Sequence, residues 1–144
     1  MENELNHDYI CTWLSLTHIQ MNIAGELESN LLEKHQLSLK EFYLLLFLSQ
    51  APEKKLKLHQ LESMVGLSQS AVSRLVSRFE AKGCGALQKQ ICETDRRNVY
   101  TSLTSIGQDK LDRAKVTFNE VLLKALPDND LESLLQQILQ LKQR

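Results

Sequence analysis

The first thirty or so residues place apolar side chains three and four positions apart, which is the spacing of an amphipathic helix. The pattern predicts one long helix whose apolar stripe faces a partner surface. The stripe consists of Leu5, Tyr9, Trp13, Leu16, Ile23, Leu27 and Leu31.

A second helix is predicted from Leu39 to Ser49, ending before Pro52. Ser38 and Glu41 form a capping-box pattern, in which each side chain accepts a hydrogen bond from a backbone N–H at a helix start. Residues 42–48 are apolar all round the helix, so we expect this helix to lie in the core.

Two further helical segments follow, and a tight turn joins them. Leu58, Leu61 and Val65 give about two turns of helix, closed by a glycine that accepts the left-handed conformation. Ser68 then supplies a capping oxygen for a helix that turns a second apolar set inward. That inward set is Val72, Leu75, Val76 and Phe79. Two short helices with this junction predict a helix-turn-helix.

The period changes to strict alternation between Ala86 and Thr104, which predicts a β-hairpin. Thr104 can cap a following helix whose apolar stripe consists of Ile106, Leu111, Ala114, Phe118, Leu122 and Leu126. Pro127 breaks it, and a last helix is expected over 131–141. The fold class predicted is mainly α: a winged helix-turn-helix with long N- and C-terminal helices.

The overall charge of −1 is unevenly distributed. From Lys54 to Arg97 nine basic residues stand against four acidic ones, a net charge of +5, so the remainder carries −6. A basic middle between acidic ends is typical of a surface that contacts nucleic acid, although modest clusters of this kind also occur on ordinary solvated faces.

The outward side of the second short helix carries the candidate chemistry. We call this set the reading face: Ser68, Gln69, Ser70, Ser73, Arg74, Ser77 and Arg78. Short hydroxyl side chains permit a close approach to a duplex, while arginine can bind guanine edges or phosphates and glutamine can read adenine. A merely solvated helix would more often mix acids with lysine, so we interpret the face as DNA-reading.

The hairpin tip, residues 93–98, places Arg96 and Arg97 next to Asp95. Two adjacent arginines on a narrow projection suit a minor groove, whose negative potential attracts guanidinium groups. An ordinary exposed turn is the competing interpretation. The position of the tip, after the reading helix, favours a wing.

Other classes of function find little support in the sequence. We expect no enzyme and no cofactor, because no phosphate loop, nucleophile elbow or carboxylate pair is present. A metal site is not expected either, since His7, Cys11 and His18 lack a fourth ligand at convincing spacing. The odd number of cysteines and the absence of a secretory or membrane-spanning segment predict a cytoplasmic protein without membrane contact.

Two motifs resemble those of the multiple-antibiotic-resistance repressor (MarR) family. Residues 95–97 with Leu103, Thr104 and Gly107 resemble its wing, and residues 66–74 with 79–83 resemble its recognition helix. The resemblance implies a single domain over 1–144, with a winged core at about 39–104 and dimerisation helices at 1–35 and 105–144. It further implies a homodimer on pseudo-palindromic double-stranded DNA, Asp95 and one arginine bracing the wing, repression as the mode of action, and release by a small-molecule effector or thiol modification.

Two alternatives stay open at this stage. Cys11 resembles the thiol of the peroxide-sensing branch of that family, but a single helical cysteine is more often an inert packing residue. The chain could also keep the fold without an operator and bind another regulator through its terminal helices. Salt-dependent binding to duplex DNA distinguishes a DNA-binding regulator from a protein that binds only another regulator.

Overall fold

The computed structural model describes residues 9–81, 85–92, 95–125 and 136–141. Helices α1 (Tyr9–His35) and α2 (Leu39–Gln50) are followed by a single turn of 3₁₀ helix (Pro52–Lys54) and strand β1 (Lys55–Lys57). Helices α3 (Leu58–Val65) and α4 (Gln69–Ala81) precede strands β2 (Leu87–Cys92) and β3 (Asp95–Leu103), then helix α5 (Ser105–Ala125). Residues 136–141 are also helical.

Helix α2 forms the centre of the core, as its apolar run predicts. Phe42, Leu44, Leu45 and Leu48 are buried, and the ring of Phe42 stacks on Phe118 of α5 at a centroid distance of 4.7 Å. The predicted capping box is present: the Ser38 N–H donates to Glu41 Oε1 at 2.9 Å and the Glu41 N–H donates to Ser38 Oγ at 3.1 Å. The predicted mainly α winged helix-turn-helix fold is confirmed.

The sheet has three antiparallel strands in the order β1-β3-β2. The hairpin β2–β3 was predicted, whereas β1 was not. Leu56 is buried against the core opposite Thr101 of β3, so a three-residue segment is held as a strand by its pairing.

Helices α1 and α5 pack against each other in antiparallel directions, with His35 near Thr117 and Glu26 near Lys124. The expected stripe of α5 needs one correction, because Ile106 is 57% exposed while Leu111, Ala114 and Val121 are buried. Several predicted features lie outside the described residues: residues 1–8 of the first helix, Leu126 of the α5 stripe, the break at 127–130 and residues 131–135 of the last helix.

The N-terminal half of α1 extends away from this core with large apolar side chains in solvent. These exposed side chains are Tyr9, Ile10, Trp13, Leu14, Leu16 and Ile19. Ile138, Leu139 and Leu141 of the last helical segment are exposed as well. None of the helices in the described ranges combines the length and the apolar character that crossing a membrane requires.

Candidate nucleic-acid interface

The angle between α3 and α4 is fixed by backbone caps at residues 66–68. Gly66 has a φ of 76° and its N–H donates to the carbonyl of Glu62 at 2.9 Å, which ends α3. Ser68 Oγ accepts a hydrogen bond from the Ala71 N–H at 3.3 Å and so begins α4. Lys40 Nζ donates to the carbonyl of Val65 at 3.2 Å and ties this turn to α2.

Helix α4 is anchored by one face and presents the other to solvent. Val72, Leu75, Val76 and Phe79 are buried, as predicted. The side chains of Ser68, Gln69, Ser70, Arg74, Ser77 and Arg78 are exposed. Ser73 is only half-buried, so it stands at the edge of the reading face and not at its centre.

The exposed side of α4 is polar and basic, without a carboxylate between Gln69 and Phe79. Arg74 Nε donates to the carbonyl of Ser70 at 3.3 Å, one turn earlier, which holds the guanidinium against the first turn of the helix. Ser68 Oγ and Ser70 Oγ lie 3.2 Å apart. With these short serine side chains, the N-terminal end of α4 is narrow enough to fit into a major groove.

The hairpin predicted to be a wing extends beside α4. Strands β2 and β3 pair from Leu87 opposite Leu103 to Cys92 opposite Asp95, with an irregularity at Ile91 and Cys92. Asp95, Arg96 and Arg97 therefore open β3 at the far end of the hairpin. Their side chains, and residues 93 and 94, lie outside the described residues.

The base of the wing is locked to α5 by Thr104 and Gly107. The Thr104 N–H donates to the carbonyl of Ala86 at 3.1 Å, and its hydroxyl donates to the carbonyl of Gly85. The same hydroxyl oxygen accepts from the Gly107 N–H at 3.1 Å, which caps α5. A Cβ at Gly107 would lie 2.2 Å from the Ala86 carbonyl oxygen, so only glycine permits this approach of helix to strand.

This arrangement matches known proteins in both sequence and fold. Residues 35–97 match the model of the MarR family, a segment that runs from the end of α1 into β3. Residues 35–97 belong to the MarR family. The resemblance seen in the recognition-helix and wing motifs is thereby confirmed, and Leu103, Thr104 and Gly107 acquire a physical role as the base of that wing.

Solved structures of MarR type share the fold over most of the chain. A MarR family transcriptional regulator from Streptomyces coelicolor, solved in complex with DNA, superposes with a TM-score of 0.79 at 20% identity, covering 91% of this chain and 82% of its own. The regulator BldR from Sulfolobus solfataricus gives 0.79 at 23% identity and coverages of 94% and 95%. The apo form of MarR from E. coli gives 0.73 at 16%, with 87% and 91% covered. No curated protein has a significant sequence match.

The candidate sensor residue lies outside the winged core. Cys11 is exposed on α1, where it lines a shallow depression together with His18 and Ile19. His7 lies outside the described residues, as do Cys84 and the side chain of Cys92. In the ranges that the structure describes, no three histidine, cysteine or acidic side chains gather as a metal site.

His35 lies at the contact between α1 and α5. Its Nε2 lies 2.7 Å from the hydroxyl of Thr117, a buried residue of α5, so it joins α1 to α5. Burial lowers the pKa of His35, and the neighbouring charges of Lys110, Lys34 and Arg113 lower it further. Both effects favour the neutral form of the imidazole at the crossing of the two helices.

Three residues on the outer face of the sheet were not predicted from the sequence. Lys55 and Lys57 of β1 place their ammonium groups 5.2 and 5.6 Å from the ring centroid of Tyr100 in β3. We call these three residues the β1 lysine cluster. The alternation of Lys55 and Lys57 around apolar Leu56 was the available signal, but three residues are too few to establish a strand period.

Proposed function

We propose that the chain is a homodimeric, sequence-specific DNA-binding transcription regulator. The observation that carries this proposal is the exposed, carboxylate-free side of α4, anchored by its buried opposite side and set by the caps at Gly66 and Ser68. The MarR-family match supports it, and so does the fold shared with a Streptomyces coelicolor regulator solved on DNA.

In this proposal α4 enters the major groove. Arg74 and Gln69 read base edges, since arginine pairs with guanine and glutamine with adenine through two hydrogen bonds each. The hydroxyls of Ser68, Ser70 and Ser77 bind phosphates or bases, and Ser73 supports the edge of the face. Arg78, one turn beyond Arg74, reaches the next phosphates.

The wing tip contacts the adjoining minor groove. Asp95 and one of Arg96 and Arg97 brace the hairpin, and the other arginine enters the groove. Replacing both arginines with alanine should weaken binding to every duplex and flatten its salt dependence, because fewer counterions are displaced. Parallel salt dependences of wild type and double variant, titrated at several salt concentrations, would exclude the wing from the interface.

The dimer is proposed from the exposed apolar surface of the terminal helices. Trp13 is 67% exposed and Tyr9 72% exposed on an extended helix, more apolar surface than a monomer ordinarily leaves in water. A second copy related by a two-fold axis covers it and spaces two reading faces for a pseudo-palindromic operator. The assignment of 39–104 to reading and of 1–35 and 105–144 to dimerisation is part of this proposal.

Regulation follows from the same geometry. We propose a cytoplasmic repressor whose DNA affinity falls when a small ligand, or modification of Cys11, changes the spacing of the two reading faces in the dimer. Cys11 is exposed on the dimerising helix, so a change there acts on subunit geometry and not on a base contact.

The test is selection of bound sequences from a random duplex pool with the purified full chain. An operator with two related half-sites should be enriched, at a spacing of one helical turn or a multiple of it. No enrichment over the input pool would contradict the proposal and favour a MarR-like protein that binds another regulator.

A further inference from the structure

The outer face of the sheet carries an organised basic surface that the proposed reading face and wing tip do not include. Leu56 and its partner Thr101 are buried, so alternation along the strands directs Lys55, Lys57 and Tyr100 to the opposite face. In the pairing register, Lys57 lies directly opposite Tyr100 and Lys55 lies opposite Ser102, one diagonal position away. One ring therefore has an ammonium group on each of two neighbouring lysines within 6 Å, close enough for cation–π attraction.

The charges of this cluster are available to an anion. Lys57 contacts no carboxylate of the described residues. Lys55 pairs with Glu53 at 3.0 Å, but the Glu53 side chain is 76% exposed, and an exposed pair of this kind exchanges readily with other partners. Two like charges over one ring repel each other, so an anion that bridges them stabilises the arrangement.

The position of the cluster relates it to the duplex. Strand β3 leads from Arg96 and Arg97 to Tyr100 in three to four residues, a distance of about 10–13 Å at the rise of a β-strand. Lys57 immediately precedes α3, and its N–H donates to Gln60 Oε1 at 2.9 Å in the first turn of that helix. The first helix of a helix-turn-helix crosses the DNA backbone, so Lys57 lies between two elements that both approach phosphates.

We propose that Lys55 and Lys57, held side by side on the Tyr100 ring, bind backbone phosphates flanking the groove that the wing enters. The inference rests on the proposed DNA-binding function and adds a contact that carries no sequence information. It lengthens the bound site beyond the bases that α4 reads, and each head of the dimer contributes one such cluster.

The test compares the wild type, the double variant Lys55→Gln/Lys57→Gln and the control Lys115→Gln/Lys124→Gln. The control removes the same charge from α5, far along the chain from the sheet. Each protein is titrated at several salt concentrations with one selected operator duplex, made with long flanks and with flanks trimmed to the half-sites. Thermal unfolding of each variant verifies that it folds.

On the long duplex the double variant should show a log–log salt slope smaller in magnitude by about 0.9 for each phosphate-neutralising lysine, or about 3.6 for a dimer. Trimming the flanks should weaken the wild type and leave the double variant unchanged. Tyr100→Phe should behave as wild type because it keeps the ring, whereas Tyr100→Leu should lose part of the slope.

Two results would overturn the inference, and they are distinguishable. If the wild type binds the operator but the slope of the double variant equals that of the control, the cluster does not contact DNA and the proposed function stands. If the wild type binds no duplex with preference, the proposed function fails and the inference fails with it.

Discussion

Arg74 is the residue through which the proposed interface is most easily tested. Its exposed guanidinium lies on the first turns of α4, and among the described residues its one hydrogen bond is to the backbone carbonyl of Ser70 within the same helix. The fold therefore gains little from this side chain, and a change at this position should act on binding alone.

Arg74→Ala should weaken operator binding by about 1–3 kcal/mol and relax the preference at one base pair of each half-site. The loss arises because the guanine edge is left without its two donors. Arg113→Ala is the matched control, since Arg113 pairs with Asp109 on the exposed side of α5. Equal affinities of the two variants across several operator sequences would remove Arg74 from the interface.

His35 gives a prediction about pH. Its pKa is lowered in the folded chain, so below about pH 6.5 the unfolded chain binds a proton that the folded chain does not. The contribution of His35 to the free energy of unfolding is therefore complete above about pH 6.5 and decreases as the pH falls from there toward the pKa of the folded state.

His35→Gln, which keeps a hydrogen-bonding group near Thr117, should reduce this acid sensitivity. Thermal unfolding of both proteins at pH 7.5 and pH 5.5 measures it, and the difference in melting temperature between the two pH values should be smaller for the variant. An equal difference in both proteins would show that His35 is not the group responsible.

At the scale of single residues, the positions that the sequence predicted correctly depend on near neighbours. The caps at Ser38 and Glu41, and at Gly66 and Ser68, each involve residues within four positions of one another. They can therefore be predicted from the sequence without knowledge of the fold. Ile106 was wrongly placed in the buried stripe, and the contact of His35 with Thr117 was not predicted, because both depend on residues brought together by folding.

Among the elements, the junction of wing and α5 is the most tightly constrained. Gly107→Ala should destabilise the protein by about 1–3 kcal/mol, because its Cβ would meet the Ala86 carbonyl and the Leu103 side chain, and backbone cannot give way cheaply. Gly25→Ala is the control: it has nothing within 4 Å and should stabilise α1 by about 0.5–1 kcal/mol.

Chemical denaturation of the two glycine variants measures both effects. The opposite signs matter more than the magnitudes, since the two substitutions add the same methyl group to a helix. A Gly107→Ala protein as stable as the wild type would mean that the wing base can shift away from α5.

The elements also show where sequence reasoning stops. Helices of two turns or more and the long hairpin carry enough periods to be recognised, and their predicted bounds agree with the structure to within a few residues. Strand β1 has only three residues and exists through its pairing with β3, so neither it nor its lysine cluster follows from local pattern.

At the scale of the whole molecule, the proposed dimer should be visible by mass. Sedimentation at micromolar concentration should give twice the 16.5 kDa of one chain. Trp13→Glu should yield monomers or insoluble protein, because it places a charge in an apolar interface, whereas Ser29→Glu on the exposed side of α1 should leave the dimer intact. A Trp13→Glu protein that remains a normal dimer would refute an interface at this part of α1.

The arrangement of the two subunits does not follow from the sequence pattern alone. An apolar stripe indicates that a surface is covered by a partner, but it does not identify the partner. The exposed apolar side chains of α1 in the structure lead to the same conclusion. The family resemblance supplied the second copy, and the side chains of Asp95, Arg96 and Arg97 remain predictions for the same interface.

In the proposed complex, two chains bind one operator through their two reading faces. The most direct measurement is equilibrium titration of the full chain with the selected two-half-site duplex, a single half-site and a shuffled duplex of equal length, at one fixed salt concentration. Two chains should bind each full site, at least about 10³-fold more tightly than they bind the shuffled duplex. Equal affinity for the full site and the shuffled duplex would contradict this prediction.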